Sequence, residues 1–221
     1  MASVVETSAV SQAIPLMVFD PAAAERLLAE RRRLGQDRKD EVWNGTYIMS
    51  PDPTFAHNMI VGELIIVFSL TQKARGAKAY PGGNVSDRAK AWEQNFRCPD
   101  VIVLFPGNPA KNLDTVLVGG PDFAVEILSP HDRAREKLPF YGQIKTRECL
   151  YIDRQQECVE LYRLSGEQME LVATLTAENG VKCRSEVLRL DLCVLQDAQN
   201  TFLEIRQASE PSQIWRVDLL V

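Results

Sequence analysis

A continuous apolar run interrupted by a single carboxylate, Glu126, places the strongest constraint on how this chain can fold. The run extends from Phe123 to Leu128, and its Phe and Val residues favour an extended backbone, so we predict a buried central strand. A lone carboxylate is costly to bury unless a cation or strong hydrogen-bond donors pair with it. Glu126 therefore needs a partner, and a metal ion is one candidate.

The residues after this strand predict the start of a helix. Ser129 is typical of an N-cap, Pro130 of the first helical position, and Asp132 of a capping box. Further strands are then expected over residues 149–152 and 158–164. The predicted order is strand, helix, strand and hairpin.

Three side chains of the predicted helix share one face, since Arg133, Lys137 and Tyr141 are spaced by four residues. This face brings cationic groups close to Glu126. For Lys137, a solvated helix lysine is the equally weighted alternative. Pro139 would lie inside the predicted helix, where its missing N–H predicts a kink.

An aspartate precedes a second apolar run one strand earlier, where Asp100 follows Pro99 and leads into residues 101–105. Taken alone, a turn aspartate after proline is the simpler interpretation. Asp100 would also lie at the end of the sheet, where ligands gather, with Glu126 one strand later. Two carboxylates from adjacent strands can hold Mg²⁺ and leave positions for water and a phosphate oxygen.

The N-terminal third contains clear local signals. We predict helices over residues 21–33 and 55–73, with a hairpin at Asn44-Gly45 between them. Residues 80–85 and 94–98 are predicted to be strands. Glu63 is the one acid inside the second helix, and a partly exposed surface glutamate is its main alternative to a metal ligand. For His57, in the first turn, we expect a packing or capping role.

Composition limits the class of protein. The chain has 221 residues, 45% of them apolar and 25% charged, enough for one globular domain. We expect an arm and helix over residues 1–39, a domain over 40–195 and a tail over 196–221 that packs on the domain or on a partner subunit in a homodimer. We expect no membrane span, because no run of 18 apolar residues occurs.

Charge and cysteine usage add two expectations. Five cysteines without a CxxC pair, and no basic leader, favour a cytoplasmic protein with reduced thiols. The net charge of −5 argues against a dedicated nucleic-acid binder, but it leaves room for a local basic cleft.

Three segments together resemble the Uma-two family of restriction-endonuclease-like proteins. They are DEVWNGTYIMSP (residues 40–51), NFRCPDVIVLFPGNP (95–109) and PDFAVEILSPHDRAREKLPFYGQIKTRECLYID (121–153). The resemblance spans residues 40 to 164 in the right order. It implies the PD-(D/E)XK nuclease fold, a mixed α/β domain whose central mixed sheet is flanked by helices.

The resemblance also implies a function, which is Mg²⁺- or Mn²⁺-dependent cleavage of DNA. Asp100 and Glu126 would hold the metal, with Glu63 as a possible third ligand from the first core helix and Glu41 as a candidate of undecided role. The group's usual lysine lies two residues after the glutamate, where this chain has Leu128; Lys137 is the matching position in this family.

Substrate contacts are predicted on the same helix, where Arg133, Arg135 and Tyr141 could face DNA phosphates. Salt bridges to surface acids are an equal alternative for the two arginines. A nuclease fold that has lost cleavage and instead binds nucleic acid or a protein partner is the alternative function. A scaffold that binds neither metal nor nucleic acid is the third.

Overall fold

The computed structural model describes residues 15–129, 133–207 and 209–219. The helices within these ranges are α1 (Pro21–Leu34), α2 (Phe55–Gln72) and α3 (Leu138–Gln143). The strands, in chain order, are β1 (Leu16–Val18), β2 (Glu41–Trp43), β3 (Thr46–Met49), β4 (Lys78–Tyr80), β5 (Asn84–Ser86), β6 (Phe96–Arg97), β7 (Val101–Leu104), β8 (Lys111–Asn112), β9 (Val116–Val118), β10 (Phe123–Leu128), β11 (Glu148–Asp153), β12 (Cys158–Ser165), β13 (Gln168–Leu175), β14 (Lys182–Ser185), β15 (Leu190–Gln196), β16 (Thr201–Gln207) and β17 (Glu210–Asp218).

The central sheet has six strands in the order β13-β12-β11-β10-β7-β4. Strand β10, which carries Glu126, is buried along its whole length. It runs parallel to β11 and antiparallel to β7. A parallel pair needs a crossover connection, and the segment containing α3 supplies it. The sheet is therefore mixed, as the sequence predicts.

Helices cover both faces of this sheet. The buried side of α2 contributes Ile60, Leu64 and Phe68 to one core, where the Phe68 ring meets Phe123 edge-on at 5.7 Å between centroids. On the other face, Phe140 and Tyr141 of α3 pack with Tyr151 and other sheet residues. The predicted architecture, a central mixed sheet flanked by helices, is confirmed.

The crossover between β10 and β11 begins differently from the prediction. Pro130 and Asp132, predicted to start the helix, lie outside the described residues. The described part opens with a 3₁₀ turn, Ala134–Lys137, and α3 begins only at Leu138. Pro139 therefore lies in the first turn, where its missing N–H costs no intrahelical bond. The predicted interior kink is wrong.

A second sheet of seven strands, in the order β1-β3-β2-β6-β5-β9-β8, carries the N-terminal hairpin. Asn44 and Gly45 have φ of 48° and 86°, which is the left-handed pair that a two-residue hairpin turn requires. The predicted hairpin is confirmed. The single strand predicted over residues 80–85 is wrong, because Gly82 and Gly83, both at positive φ, break it into β4 and β5, which join different sheets.

A third sheet, in the order β14-β15-β16-β17, closes the chain. Val217 and Leu219 are fully buried in the same core as α2, and Trp215 packs against it. These apolar residues of the expected tail thus find their partners within the chain. Leu220 lies outside the described residues. The homodimer stays a prediction.

Helix α2 and the turn after it (Phe55–Arg75) are long and apolar enough to cross a membrane by length and composition. The side of α2 that packs on the sheet behaves as a core helix, as described above. Its outer side exposes Phe55, Met59, Ile66 and Leu70. The expectation of no membrane span stays a prediction.

Candidate active site

Glu126 lies in the middle of the central sheet with two donors on its carboxylate. Tyr141 donates a hydrogen bond to Oε1, and the ammonium group of Lys137 lies 2.9 Å from Oε2. Both donors come from the α3 crossover, so the predicted shared face of Lys137 and Tyr141 is what reaches Glu126. Burial raises the pKa of Glu126 to about 8, and the charge of Lys137 only partly offsets this.

Asp100 is fixed by the strands on either side of it. Its own N–H donates to the carbonyl of Val125 at 2.8 Å, and its Oδ2 accepts the N–H of Ile127 at 2.8 Å. Asp100 is thereby held beside the two residues that flank Glu126 in sequence. The sequence prediction that these two carboxylates come from neighbouring strands agrees with this arrangement.

The other oxygen of Asp100 has two partners. Lys39 Nζ and His57 Nε2 each lie 3.0 Å from Oδ1. Burial alone would raise the pKa of Asp100, but the His57 hydrogen bond, the Lys39 charge and the Ile127 N–H together hold it well below its usual value. The pKa values of Asp100 and Glu126 are thus shifted in opposite directions.

A third carboxylate joins the group through Lys137. Its Nζ lies 2.8 Å from Glu41 Oε1 as well as next to Glu126. Glu41 also accepts the Cys98 N–H at 2.9 Å and the Trp43 indole N–H at 2.5 Å. Glu41, whose role the sequence left undecided, therefore lies inside the site, where it anchors the lysine.

These groups line one cavity of about 570 Å³. Its polar floor is formed by Lys39, Glu41, His57, Asp100, Glu126 and Lys137. Its walls include the Pro51–Thr54 segment, Trp43 and the basic side chains of Arg133 and Arg154. The lining thus combines carboxylates with lysines and arginines, and its cationic groups suit a ligand that carries negative charge.

Several predicted site residues do not meet at this floor. Glu63 lies against Asp218, and burial together with that charge raises its pKa; it is not among the cavity-lining residues.

The predicted substrate contacts differ in their placement. Arg135 forms ion pairs with Glu160 at 2.9 Å and Asp153 at 3.3 Å. Tyr141 is fully buried, so it positions Glu126 rather than touching a substrate. Arg133 lines the cavity and pairs with Glu136.

Two residues of the floor were not predicted as site residues from the sequence. For His57 we expected packing or capping, and no role at the site was expected for Lys39. Their contacts with Asp100 span 43 and 61 residues, so no local pattern could reveal them. The sequence marks Lys39 only by its position next to Asp40 and Glu41, before an apolar strand. This position does not identify Asp100 as its partner.

The donor set fits a hard divalent cation that is held mainly by its own water and a substrate. No cluster of three or more His, Cys, Asp or Glu side chains able to hold an ion occurs within residues 15–129, 133–207 and 209–219. Asp100 and Glu126 are two carboxylates, and Mg²⁺ commonly binds through one or two carboxylates, several waters and phosphate oxygens. Lys39 lies beside Asp100, and Lys137 lies beside Glu126. The two ammonium groups supply positive charge that a metal ion bound to these carboxylates would also supply.

Comparisons with known proteins bear on the family and the fold. A family model named Uma2 and described as "Putative restriction endonuclease" matches residues 25–193. The crystal structure of a "putative nuclease" of the DUF820 family from Anabaena variabilis is similar to this fold, with a TM-score of 0.55 and 21% sequence identity over 73% of this chain and 89% of that chain. No curated protein matches. Because the family model covers more than half of the chain, the protein belongs to the Uma2 family.

Proposed function

We propose that this protein is an endonuclease that hydrolyses phosphodiester bonds in DNA with the help of Mg²⁺ or Mn²⁺. The observation that carries the proposal is the pairing of Asp100 and Glu126, held on neighbouring backbone at the floor of an open cavity with a lysine on each carboxylate. A protein whose only need was stability would gain little from this arrangement, because buried ion pairs seldom stabilise a fold relative to apolar packing.

Asp100 and Glu126 would hold the metal. When bound, such an ion polarises a phosphoryl oxygen and lowers the pKa of its water. Lys137 keeps Glu126 and Glu41 in place and supplies positive charge where negative charge develops during hydrolysis. Tyr141 fixes the orientation of Glu126, since burial raises the pKa of its hydroxyl and so keeps it a hydrogen-bond donor.

The basic side chains at the mouth account for DNA as the proposed substrate. Arg133 and Arg154 line the same cavity as Asp100 and Glu126, and phosphates are groups that arginines bind with two parallel hydrogen bonds. Arg135 would contribute indirectly, through its pairs with Asp153 and Glu160. A cytoplasmic location and a homodimer complete the proposal.

A catalytically degenerate nuclease fold that binds nucleic acid or a protein partner is the second candidate. Leu128 favours it, because it occupies the strand position of the usual lysine and is buried in apolar surroundings. The net charge of −5 also favours it. In this case the cavity would bind without turnover.

The test is a cleavage assay on supercoiled and linear DNA with Mg²⁺ or Mn²⁺, with and without a chelator. Wild-type protein should cleave only with the metal, and Glu126→Ala should not cleave. Glu170→Ala, on the exposed side of β13, is the control and should match the wild type. Equal cleavage by Glu126→Ala would remove the proposal. Metal-dependent DNA binding without any cleavage would favour the degenerate alternative.

A further inference from the structure

Two cationic or hydrogen-bonding side chains share a single oxygen of Asp100. Lys39 Nζ and His57 Nε2 both lie 3.0 Å from Oδ1, whereas Oδ2 is taken by the backbone N–H of Ile127. A backbone donor within the sheet cannot move without breaking strand pairing. The exchangeable position on this carboxylate is therefore Oδ1.

Lys39 is the more mobile of the two partners of Oδ1 by its chemistry and its place. Its side chain is 27% exposed, against 11% for His57, and it comes from the loop between α1 and β2 rather than from a helix. Four methylene groups allow its ammonium to swing, while the imidazole is fixed by the first turn of α2. Gly82, with φ of 86° and no side chain, leaves room beside Nζ.

Lys137 differs from Lys39 in its exposure and in the number of its carboxylate partners. It is 8% exposed and bridges Glu126 and Glu41 at 2.9 and 2.8 Å. If the ammonium group of Lys137 moved away from Glu126, it would still be paired with Glu41, and the reverse also holds. Within the part of the chain that the structure describes, Lys39 forms an ion pair with one carboxylate, that of Asp100, so displacement from Asp100 would leave its ammonium without that partner.

We infer that Lys39 is a catalytic residue whose ammonium moves from Asp100 to the DNA phosphate when a divalent cation binds Asp100. The inference rests on the proposed function and adds a second lysine to it. The physical reason is that two cations cannot share Oδ1 without repulsion at short range, and the displaced ammonium lies in the cavity that the substrate would enter.

The experiment compares wild type, Lys39→Met, Lys39→Arg and the exposed control Lys90→Met in two measurements. The first is calorimetric titration with Mn²⁺ in the absence of DNA. Lys39→Met should bind Mn²⁺ about three- to tenfold more tightly, because a competing cation has been removed from Oδ1. A lysine that only supports the fold would give the opposite, a weaker metal site.

The second measurement is the affinity for a short fluorescein-labelled DNA duplex with Ca²⁺ present, followed by turnover with Mg²⁺. Lys39→Met should bind the duplex at least about fivefold more weakly and turn over about a hundredfold more slowly. Lys39→Arg, which keeps the charge, should recover most of the duplex affinity, and Lys90→Met should match wild type in both measurements. Thermal melting checks that each variant is folded.

Each outcome has a defined meaning. Weaker Mn²⁺ binding by folded Lys39→Met, or unchanged duplex affinity, would overturn the role of Lys39 even if the wild type cleaves DNA. Wild type that binds Mn²⁺ and the duplex without cleaving would remove the proposed nuclease function, and the duplex affinities would still decide the role of Lys39. Wild type that binds no Mn²⁺ would overturn both.

Discussion

The ammonium group of Lys137 lies 2.9 Å from Oε2 of Glu126, eleven residues earlier in the chain. The lysine reaches the carboxylate from the 3₁₀ turn before α3, not from strand β10, whose corresponding position is the buried Leu128. A cation is thus restored beside the glutamate by the crossover segment. The same segment supplies Tyr141, so the positions of both groups depend on how α3 packs against the sheet.

Replacing Lys137 with Met should destabilise the protein. The variant leaves two buried carboxylates, Glu126 and Glu41, without their shared cation, and breaking a buried pair costs about 3–5 kcal/mol. Adding Glu41→Gln should restore part of the loss, since it removes one of the uncompensated charges. Chemical denaturation of the single and double variants measures this. A double variant no more stable than Lys137→Met would argue against the three-group arrangement.

Replacing Tyr141 with Phe should weaken Mn²⁺ binding and lower turnover by about tenfold, because one hydrogen bond to a charged group is lost. The fold should remain, since the ring still fills its place in the core. Tyr151→Phe is the matched control: its hydroxyl is also buried but donates to the Ala134 carbonyl at 3.0 Å. If both variants kept wild-type metal affinity and turnover, Tyr141 would have no positioning role.

The metal-free protein should lose stability as the pH rises from about 4.5 towards 8. Burial raises the pKa of Glu126 from 4.5 to about 8, so the folded state binds more protons than the unfolded state within this window. The stabilisation is complete below the pKa of the unfolded state and is lost as the pH rises through the pKa of the folded state. For one proton, the free energy of unfolding falls by at most about 1.4 kcal/mol per pH unit.

The measurement is urea denaturation across this pH range for wild type and Glu126→Gln, both in the presence of a chelator. The variant cannot titrate at this position and should show a flatter profile. Asp100 has a lowered pKa, so its contribution to stability is lost only in more acidic solution. This pH range does not overlap with the one in which Glu126 titrates. Parallel profiles for the two proteins would contradict a raised pKa at Glu126.

Replacing Gly142 with Ala should destabilise the protein through packing. A methyl group at this position of α3 would overlap the backbone carbonyl of Glu167 at the β12–β13 turn, so the helix carrying Tyr141 must shift. Gly62→Ala in α2 is the matched control, because nothing lies within 4 Å of the added carbon; it should stabilise the helix by up to about 1 kcal/mol. Thermal melting compares them, and an unaffected Gly142→Ala would contradict the close approach.

Local patterns account for what could be predicted from the sequence. The apolar run around Glu126 required a buried strand, Asn44-Gly45 required a hairpin, and the capping threonine before Phe55 marked the start of α2, whose Thr54 side chain accepts the His57 N–H at 3.2 Å. Each feature depends on residues within a few positions of one another. The break at Gly82-Gly83 had a local signal too, since glycine weakens a strand, and the predicted strand over residues 80–85 ignored it.

The arrangement around Asp100 could not be predicted in the same way. Lys39 and His57 reach it from a loop and a helix that lie far away in sequence, and only the packing of α2 and the N-terminal hairpin against the central sheet brings them there. Glu41 is an intermediate case. A buried acid in an apolar strand signals a need for a partner, but the sequence could not identify that partner as Lys137.

We propose that Asp100 and Glu126 together hold a divalent cation. The most direct measurement is calorimetric titration of Mn²⁺ and Mg²⁺ into wild type, Asp100→Ala and Glu126→Ala, with circular dichroism to establish that all three are folded. The wild type should show one saturable binding event that is absent from both variants. Wild-type affinity in either folded variant, or no binding by the wild type, would contradict it.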